Sequence, residues 1–407
     1  MSELIHDWNL AGQAPARPGR RIEFDDETLR DGLQSPSVTQ PGVAQKLELL
    51  RLMDAMGLDS ADIGLPGAGG RMKDETLAVA LSMTREKLRI APNCAARSLE
   101  ADLQPIADIA QACGRPVQAA MFIGSSPLRQ YVEDWTLDTL LEHTRTALAF
   151  AKREHIDVMY VTEDTTRAKP ADLERLFLTA VEGGASRLCL CDTCGHATPN
   201  GVAALVRWTR ALLDGRGLRH IRLDFHGHMD RGLGVWNSIA ALEAGVDRVH
   251  GTALGIGERV GNTPMDQLLV NLKLMGWIDL DLRPLAVYGE TASRIAGVPI
   301  PHGYPVVGRD AFETATGVHA AAILKAMDKG DRWLADRVYS GVPASDFGLE
   351  QKIAIGPLSG HSNVVGWLRS RGHTAGEPRV AALLARAKPS DRLLRDEIVT
   401  MAGAGNE

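Results

Sequence analysis

Between residues 22 and 276 the chain repeats one pattern, a short apolar run followed by a longer stretch with helical spacing. The short runs fall at 22–26, 60–64, 88–92, 117–123, 156–162, 187–191, 221–226 and 246–251. Each is rich in Val, Ile, Leu, Met or Ala without polar alternation, as suits strands buried on both faces. The intervening stretches are amphipathic. In 43–57, Leu47, Leu50, Met53 and Met56 make one stripe, with Lys46, Glu48, Arg51 and Asp54 expected opposite. Pro264 near the start of 264–276 suits a first helical turn. Such alternation admits a doubly wound open sheet or a closed barrel. Eight units over about 250 residues, with polar clusters at nearly every strand's C-terminal end, favour an α/β (β/α)8 TIM barrel. Those clusters would form one rim, where chemistry is expected.

Outside the repeat, residues 1–20 read as an extended N-terminal arm, and 21–280 as the catalytic barrel. Residues 281–308 read as a linker marked by Pro299, Pro301, Gly303, Pro305 and Gly308. Residues 309–407 read as a small, mostly helical C-terminal region: a helix over 310–328, a strand-like piece at 351–355 and helices to the end. Lys and Arg total 45 against 51 Asp and Glu, a formal charge of −6 with no long basic tract, so no nucleic-acid partner is expected. No run approaches the roughly 20 apolar residues of a membrane span, and Met1–Asp7 lacks the pattern of a secretory leader. Five cysteines, an odd number, fit a reducing cytoplasm.

His226-Gly-His228 closes the seventh run. Residues i and i+2 of a strand share a face, so both imidazoles would project from one side. Asp31, after the first run, offers a carboxylate that barrel closure would bring near. Two His and one carboxylate leave positions open, as a catalytic divalent metal requires; Zn, Mn, Mg or Co would suit the mixed N and O set. The same histidines would also fit backbone bonding at a strand end. Arg30 would bind a carboxylate or stabilise an oxyanion, or belong to a rim salt bridge, with Asp25 and Asp26 available to orient it. Glu163 ends the fifth run, as an acid–base carboxylate or a helix cap. In Gly255-Ile-Gly-Glu-Arg-Val-Gly-Asn262, the glycines would allow close backbone approach to a ligand, with Glu258 and Asn262 reaching the site. A merely flexible loop is the other reading. Cys189, Cys191 and Cys194 read as mostly buried thiols, since no second cysteine pair completes a zinc site. Asp192 and Thr193 beside them draw more interest. His319 lies outside the barrel.

Together, Thr28-Leu-Arg-Asp-Gly-Leu-Gln34, His226-Gly-His-Met-Asp230 with Gly232-Leu-Gly-Val-Trp-Asn-Ser238, and Gly255–Asn262 resemble the isopropylmalate/homocitrate/citramalate synthases. These are metal-dependent barrels related to hydroxymethylglutaryl-CoA lyase. Phe312 with His319, and Gly356-Pro-Leu-Ser-Gly360, are similar to the synthases' C-terminal subdomains, which the lyase lacks. The resemblance implies a Claisen-type condensation of acetyl-CoA with a 2-oxo acid, giving a 2-substituted malate and CoA. A C–C lyase acting on a hydroxyacyl-CoA is the alternative. It further implies Asp31, His226 and His228 as metal ligands with Asn262 nearby, and Arg30, Glu163, His319 and Tyr339 as catalytic residues. Gln34, Arg129, Thr193 and Glu258 would contact substrate, and a homodimer would bring His319 to the partner's barrel. Three positions depart from the usual pattern: Met229, the Asp62–Pro66 run, and Arg129, which suggests an oxo acid with a second anionic group.

Overall fold

The structure is a computed structural model that describes residues 4–11 and 16–395. Parts of the expected arm, and the last residues expected to be helical, lie outside the described residues. The described chain forms two compact units, one running to Asp281 and including Val287–Val298, the other comprising Leu282–Ala286 and the residues from Pro299 onward.

The first unit is a closed parallel barrel of eight strands. These are β1 (Glu23–Asp26), β2 (Ser60–Asp62), β3 (Ala91–Arg97), β4 (Gln118–Gly124), β5 (Val158–Glu163), β6 (Arg187–Asp192), β7 (Arg222–Gly227) and β8 (Arg248–Gly251). Closure comes from β1 pairing with β8, with Glu23 opposite Arg248 and Asp26 opposite Gly251. The helices are α1 (Val43–Met56), α2 (Gly70–Arg85), α3 (Glu100–Cys113), α4 (Pro127–Val132), α5 (Leu137–Arg153), α6 (Pro170–Glu182), α7 (Pro199–Gly215), α8 (Gly234–Ala244), α9 (Met265–Leu274) and α10 (Leu285–Ala296). Among the described residues no helix is long and apolar enough to cross a membrane.

Three expectations for the barrel unit and its linker shift. The third strand is Ala91–Arg97, not 88–92. Leu88 instead follows a left-handed Lys87 (φ 56°) and donates its N–H back to Met83, closing the end of α2. The strand itself, Ala-Pro-Asn-Cys-Ala-Ala-Arg, has weak strand propensity and is fixed by pairing with β2 and β4. In α1, Lys46 is not on the outer face. It is buried, with Nζ 2.7 Å from Glu75. The 281–308 stretch, read as linker, contains α10, whose Tyr288 is fully buried and hydrogen-bonds to Asp26.

The second unit holds a two-stranded parallel pair, β9 (Glu313–Thr314) and β10 (Lys352–Ile353), with α11 (Gly317–Asp328), α12 (Arg332–Arg337), α13 (His361–Ser370) and α14 (Glu377–Ala387). The helix expected over 310–328 starts only at Gly317. Ile355, Val364, Leu368, Val380 and Leu383 form a core within this unit.

Breaking a buried ion pair from one side leaves an uncompensated charge. Glu75→Ala strands the Lys46 ammonium and is expected to destabilise the barrel by about 3 kcal/mol. Lys46→Met removes the charge and fills the space, and is expected to cost less than half as much. Urea unfolding of both variants checks the order; equal costs would contradict it.

Candidate metal centre

Along β7 the side chains alternate. Leu223 and Phe225 are buried towards the helices, while Asp224 and His226 face the barrel interior, where each meets charged partners from other strands. His228 continues the inward series just past the strand. Asp31 sits in the loop after β1, at 4% exposure. Its Oδ2 lies 3.5 Å from Nε2 of His226 and 3.6 Å from Nε2 of His228. Barrel closure thus gathers all three expected groups, and they form one cluster able to hold a metal.

The tautomers are set by partners that can only accept. His226 donates Nδ1–H to Glu27 Oε2 at 2.6 Å, and His228 donates Nδ1–H to the Gly261 carbonyl at 3.1 Å. Both Nε2 atoms are therefore turned to the cluster; burial opposes charging of His226, but Glu27 and then Asp31 outweigh it and raise its pKa, so a cation would displace a proton from that Nε2. Burial, then the neighbouring His226, lowers the His228 pKa to about 4, which keeps that ring neutral and able to ligate. Burial alone pushes the Glu27 carboxyl up, but His226, Arg30 and His250 outweigh it and hold Glu27 well below the usual carboxylate range. Asn262 is fully buried and bridged to His228. Its Nδ2 donates to the Ile256 carbonyl, while its Oδ1 has no hydrogen-bond partner. Two oriented imidazoles and a carboxylate fit a divalent cation, and Asn262, whose backbone bridges to His228, carries a buried oxygen still open to a partner.

Sequence reasoning missed Glu27 and His250 as site residues. His250 is 1% exposed, with Nδ1 3.2 Å from Glu27 and Nε2 3.1 Å from Asp224. Its position after Val249, in a short run with no paired histidine, gives no local signal. Arg30 is oriented by Asp62, 2.7 Å from Nε, and by Glu27, 3.0 Å from Nη2. The expected orienting pair serves elsewhere, since Asp25 accepts from Asn93 and Asp26 from Thr28 and Tyr288. Asp192 is also structural. It is fully buried and binds the N–H groups of His196 and Ala197 and the Thr166 hydroxyl, fixing the turn after β6.

A cavity of about 250 Å³ opens over the cluster. Arg30, Asp31, Gln34, Glu163, Thr193, His226, His228 and Glu258 line it, as do Glu27 and His250. Burial, opposed by Arg129, raises the Glu163 pKa. Arg129 lines an adjoining cavity instead, sharing Phe122 and Glu163 with the first, and its Nη2 is 3.1 Å from Glu133. In the loop after β8 the glycines serve the loop itself. A Cβ at Gly261 would lie 1.8 Å from the Gly255 carbonyl, and one at Gly257 would lie 2.2 Å from Asn262 Nδ2. His319 and Tyr339 belong to the second unit, where their rings face each other at 4.0 Å between centroids. Cys189 and Cys191 are buried free thiols.

Residues 21–288 match the HMGL-like family. The chain belongs to that family. A homocitrate synthase, AksA of Methanopyrus kandleri, is 32% identical over 375 residues, covering 91% of this chain and 88% of that protein. A 2-isopropylmalate synthase of Stenotrophomonas maltophilia is 29% identical over 90% of this chain and 69% of its own length. Among solved structures, the hydroxymethylglutaryl-CoA lyase of Pseudomonas aeruginosa superposes with a TM-score of 0.58 at 20% identity, over 69% of this chain and 94% of that one, which shows the fold alone.

Glu27→Ala removes the group that fixes His226 without removing a cluster ligand. It is expected to weaken binding of a divalent ion about ten- to a hundredfold. Calorimetric titration with Mn2+ or Zn2+ measures this; unchanged affinity would count against an orienting role for Glu27.

Proposed function

We propose that this chain is a metal-dependent acyltransferase that condenses acetyl-CoA with a 2-oxo acid, after which water hydrolyses the thioester to yield a 2-substituted malate and CoA. The observation that carries the reading is the Asp31–His226–His228 cluster, with an Nδ1–H bond orienting each imidazole and Asn262, its Oδ1 unpaired, bridged to His228 through the backbone. The match to synthases supports it. The homocitrate synthase alignment covers 91% of this chain, whereas the lyase superposition covers 69%. The synthase match therefore extends beyond the barrel into the second unit, which supports this reading over a hydroxyacyl-CoA lyase.

Asp31, His226 and His228 would hold the divalent cation, with Asn262 Oδ1 beside them. When bound, it supplies Lewis-acid polarisation of the keto group. Arg30, anchored by Glu27 and Asp62, presents a fixed positive charge where the keto oxygen becomes an alkoxide. Thr193 Oγ1 accepts from the Asp164 N–H at 2.8 Å, which leaves its own proton to donate to the substrate carboxylate. Gln34 and Glu258, both exposed at the rim, add polar contacts to substrate. Glu163 acts as an ionised acceptor at the cavity edge. His319, paired with Tyr339, handles the methyl proton of acetyl-CoA in this reading. In this reading the enzyme works in the reducing cytoplasm, with which five free thiols agree, and as a homodimer that brings His319 to the partner's barrel.

Free CoA should appear when the protein is given acetyl-CoA, a divalent metal and a suitable 2-oxo acid, and should stop on addition of EDTA. Thiol detection across branched, dicarboxylic and aromatic oxo acids tests this; no release with any of them, or release indifferent to EDTA, would contradict it. His319→Ala should cut turnover at least about a hundredfold while metal binding, read by calorimetry, stays unchanged.

The raised pKa of Glu163 sets the sign of a pH effect. A raised carboxyl keeps its proton to a higher pH than the ordinary value of about 4.3. Because its ionised form is the working one in this reading, kcat/KM climbs as pH rises through that elevated pKa and falls below it. Glu163→Gln should lower kcat/KM and erase this acid limb. A variant that keeps the wild-type limb would assign the titration to another group.

A further inference from the structure

We infer that the oxo acid accepted here carries an apolar side chain, held against a wall built by β3, β4, β5 and β6. The inference rests on the condensation reading above and concerns only the group attached to the keto carbon.

The cavity interior is divided by strand. The β7, β8 and β1 side carries imidazoles and carboxylates around the metal cluster. Facing it, β3 to β6 present Ala95, Ala120, Phe122, Val161, Cys189 and Cys191. The strand register makes these neighbours. Ala95 pairs with Ala120, Phe122 with Val161, and Val161 with Cys189, while Cys191 stands beside His226. Free thiols in this setting behave as small apolar groups. The wall is therefore continuous, and it begins next to a proposed metal ligand. An oxo acid anchored at the cluster by its carboxylate and keto oxygens has one remaining direction for its side chain that avoids the charged strands, and that direction is this wall.

A second anionic group would find no partner among the cations of this region. Arg30 is engaged by Glu27 and Asp62. Arg259 is engaged by Asp230 and the Thr193 carbonyl. Arg129, which the sequence offered for a distal carboxylate, lines the adjoining cavity and is bound to Glu133. Glu163, at the edge shared by the two cavities, would repel such a group. A carboxylate pressed on this wall would lose its hydration with nothing in return, whereas a methyl or methylene gains by burial. The two alanines, the smallest side chains in the wall, leave the room that such a group fills.

The test compares kcat/KM for CoA release with pyruvate, 2-oxobutyrate and 2-oxoisovalerate against oxaloacetate and 2-oxoglutarate. The best apolar acid is expected to exceed both dicarboxylic acids by about a hundredfold or more. Ala120→Leu, which fills the wall, should shift preference towards pyruvate over 2-oxoisovalerate by about tenfold, and Val161→Ala should shift it towards the longer acid. Preference for a dicarboxylic acid, or variants that leave these ratios unmoved, would overturn the inference while leaving the condensation reading intact. Absence of CoA release with every acid would instead overturn that reading. The side-chain preference would then be decided by calorimetric binding of the same acids to the Mn2+-loaded protein, where tighter dicarboxylate binding overturns it.

Discussion

The parallel pairing of β1 with β8, Glu23 against Arg248 through Asp26 against Gly251, turns eight strands into a ring. Glu27 and His226 are 199 residues apart in sequence, yet they share a 2.6 Å hydrogen bond. In an open sheet of the same strand order β1 and β8 would be the two edges, β7 would lie far from β1, and this contact would not exist. The entropic cost of joining distant segments grows only slowly with the chain between them. Burial of apolar side chains between the strands and the surrounding helices supplies the opposing gain.

Beneath the metal cluster the ring is held by charge rather than by aliphatic packing alone. Arg248 bonds Asp224, Ser60 and Gln118, so β8 is tied to β7, β2 and β4. Arg187 joins β6 to β7 through Asp224 and to β1 through Glu23. Burial opposes ionisation of Asp224, but Arg248 and Arg187 outweigh it and hold that carboxyl below its usual range. His250 then links Asp224 to Glu27, and Glu27 fixes His226. A chain of paired groups therefore runs from the barrel floor to the proposed ligand. Groups so bound have little freedom to rotate, and a ligand set oriented in advance binds a cation with less reordering.

The barrel was legible because eight buried strands leave eight apolar runs, and helices leave amphipathic spacing. His226 and His228 were legible because a strand's period of two puts them on one face. Asp31 needed only the rule that loops after barrel strands share a rim. What escaped depends on contacts that no local pattern encodes. Lys46 sits at a helix position that periodicity assigns to solvent, and only Glu75 on α2 explains its burial. The third strand is an Ala- and Asn-containing segment, selected by pairing with its neighbours over the more apolar run before it. Glu27 and His250 become partners only after closure. Arg129 follows the fourth strand as a site residue would, but it pairs with Glu133 and turns to a second cavity. The glycines after β8 resemble a ligand cradle in sequence, and the structure spends them on folding the loop against Asn262.

The central claim is that Asp31, His226 and His228 share one cation. X-ray absorption spectroscopy of the Zn2+- or Mn2+-loaded protein tests it most directly. The account predicts two imidazole nitrogens and carboxylate oxygen in the inner shell at about 2.0–2.2 Å, with the imidazole signature lost on replacing both histidines. A bound metal whose inner shell contains no histidine nitrogen, or whose spectrum is the same after that replacement, would contradict it.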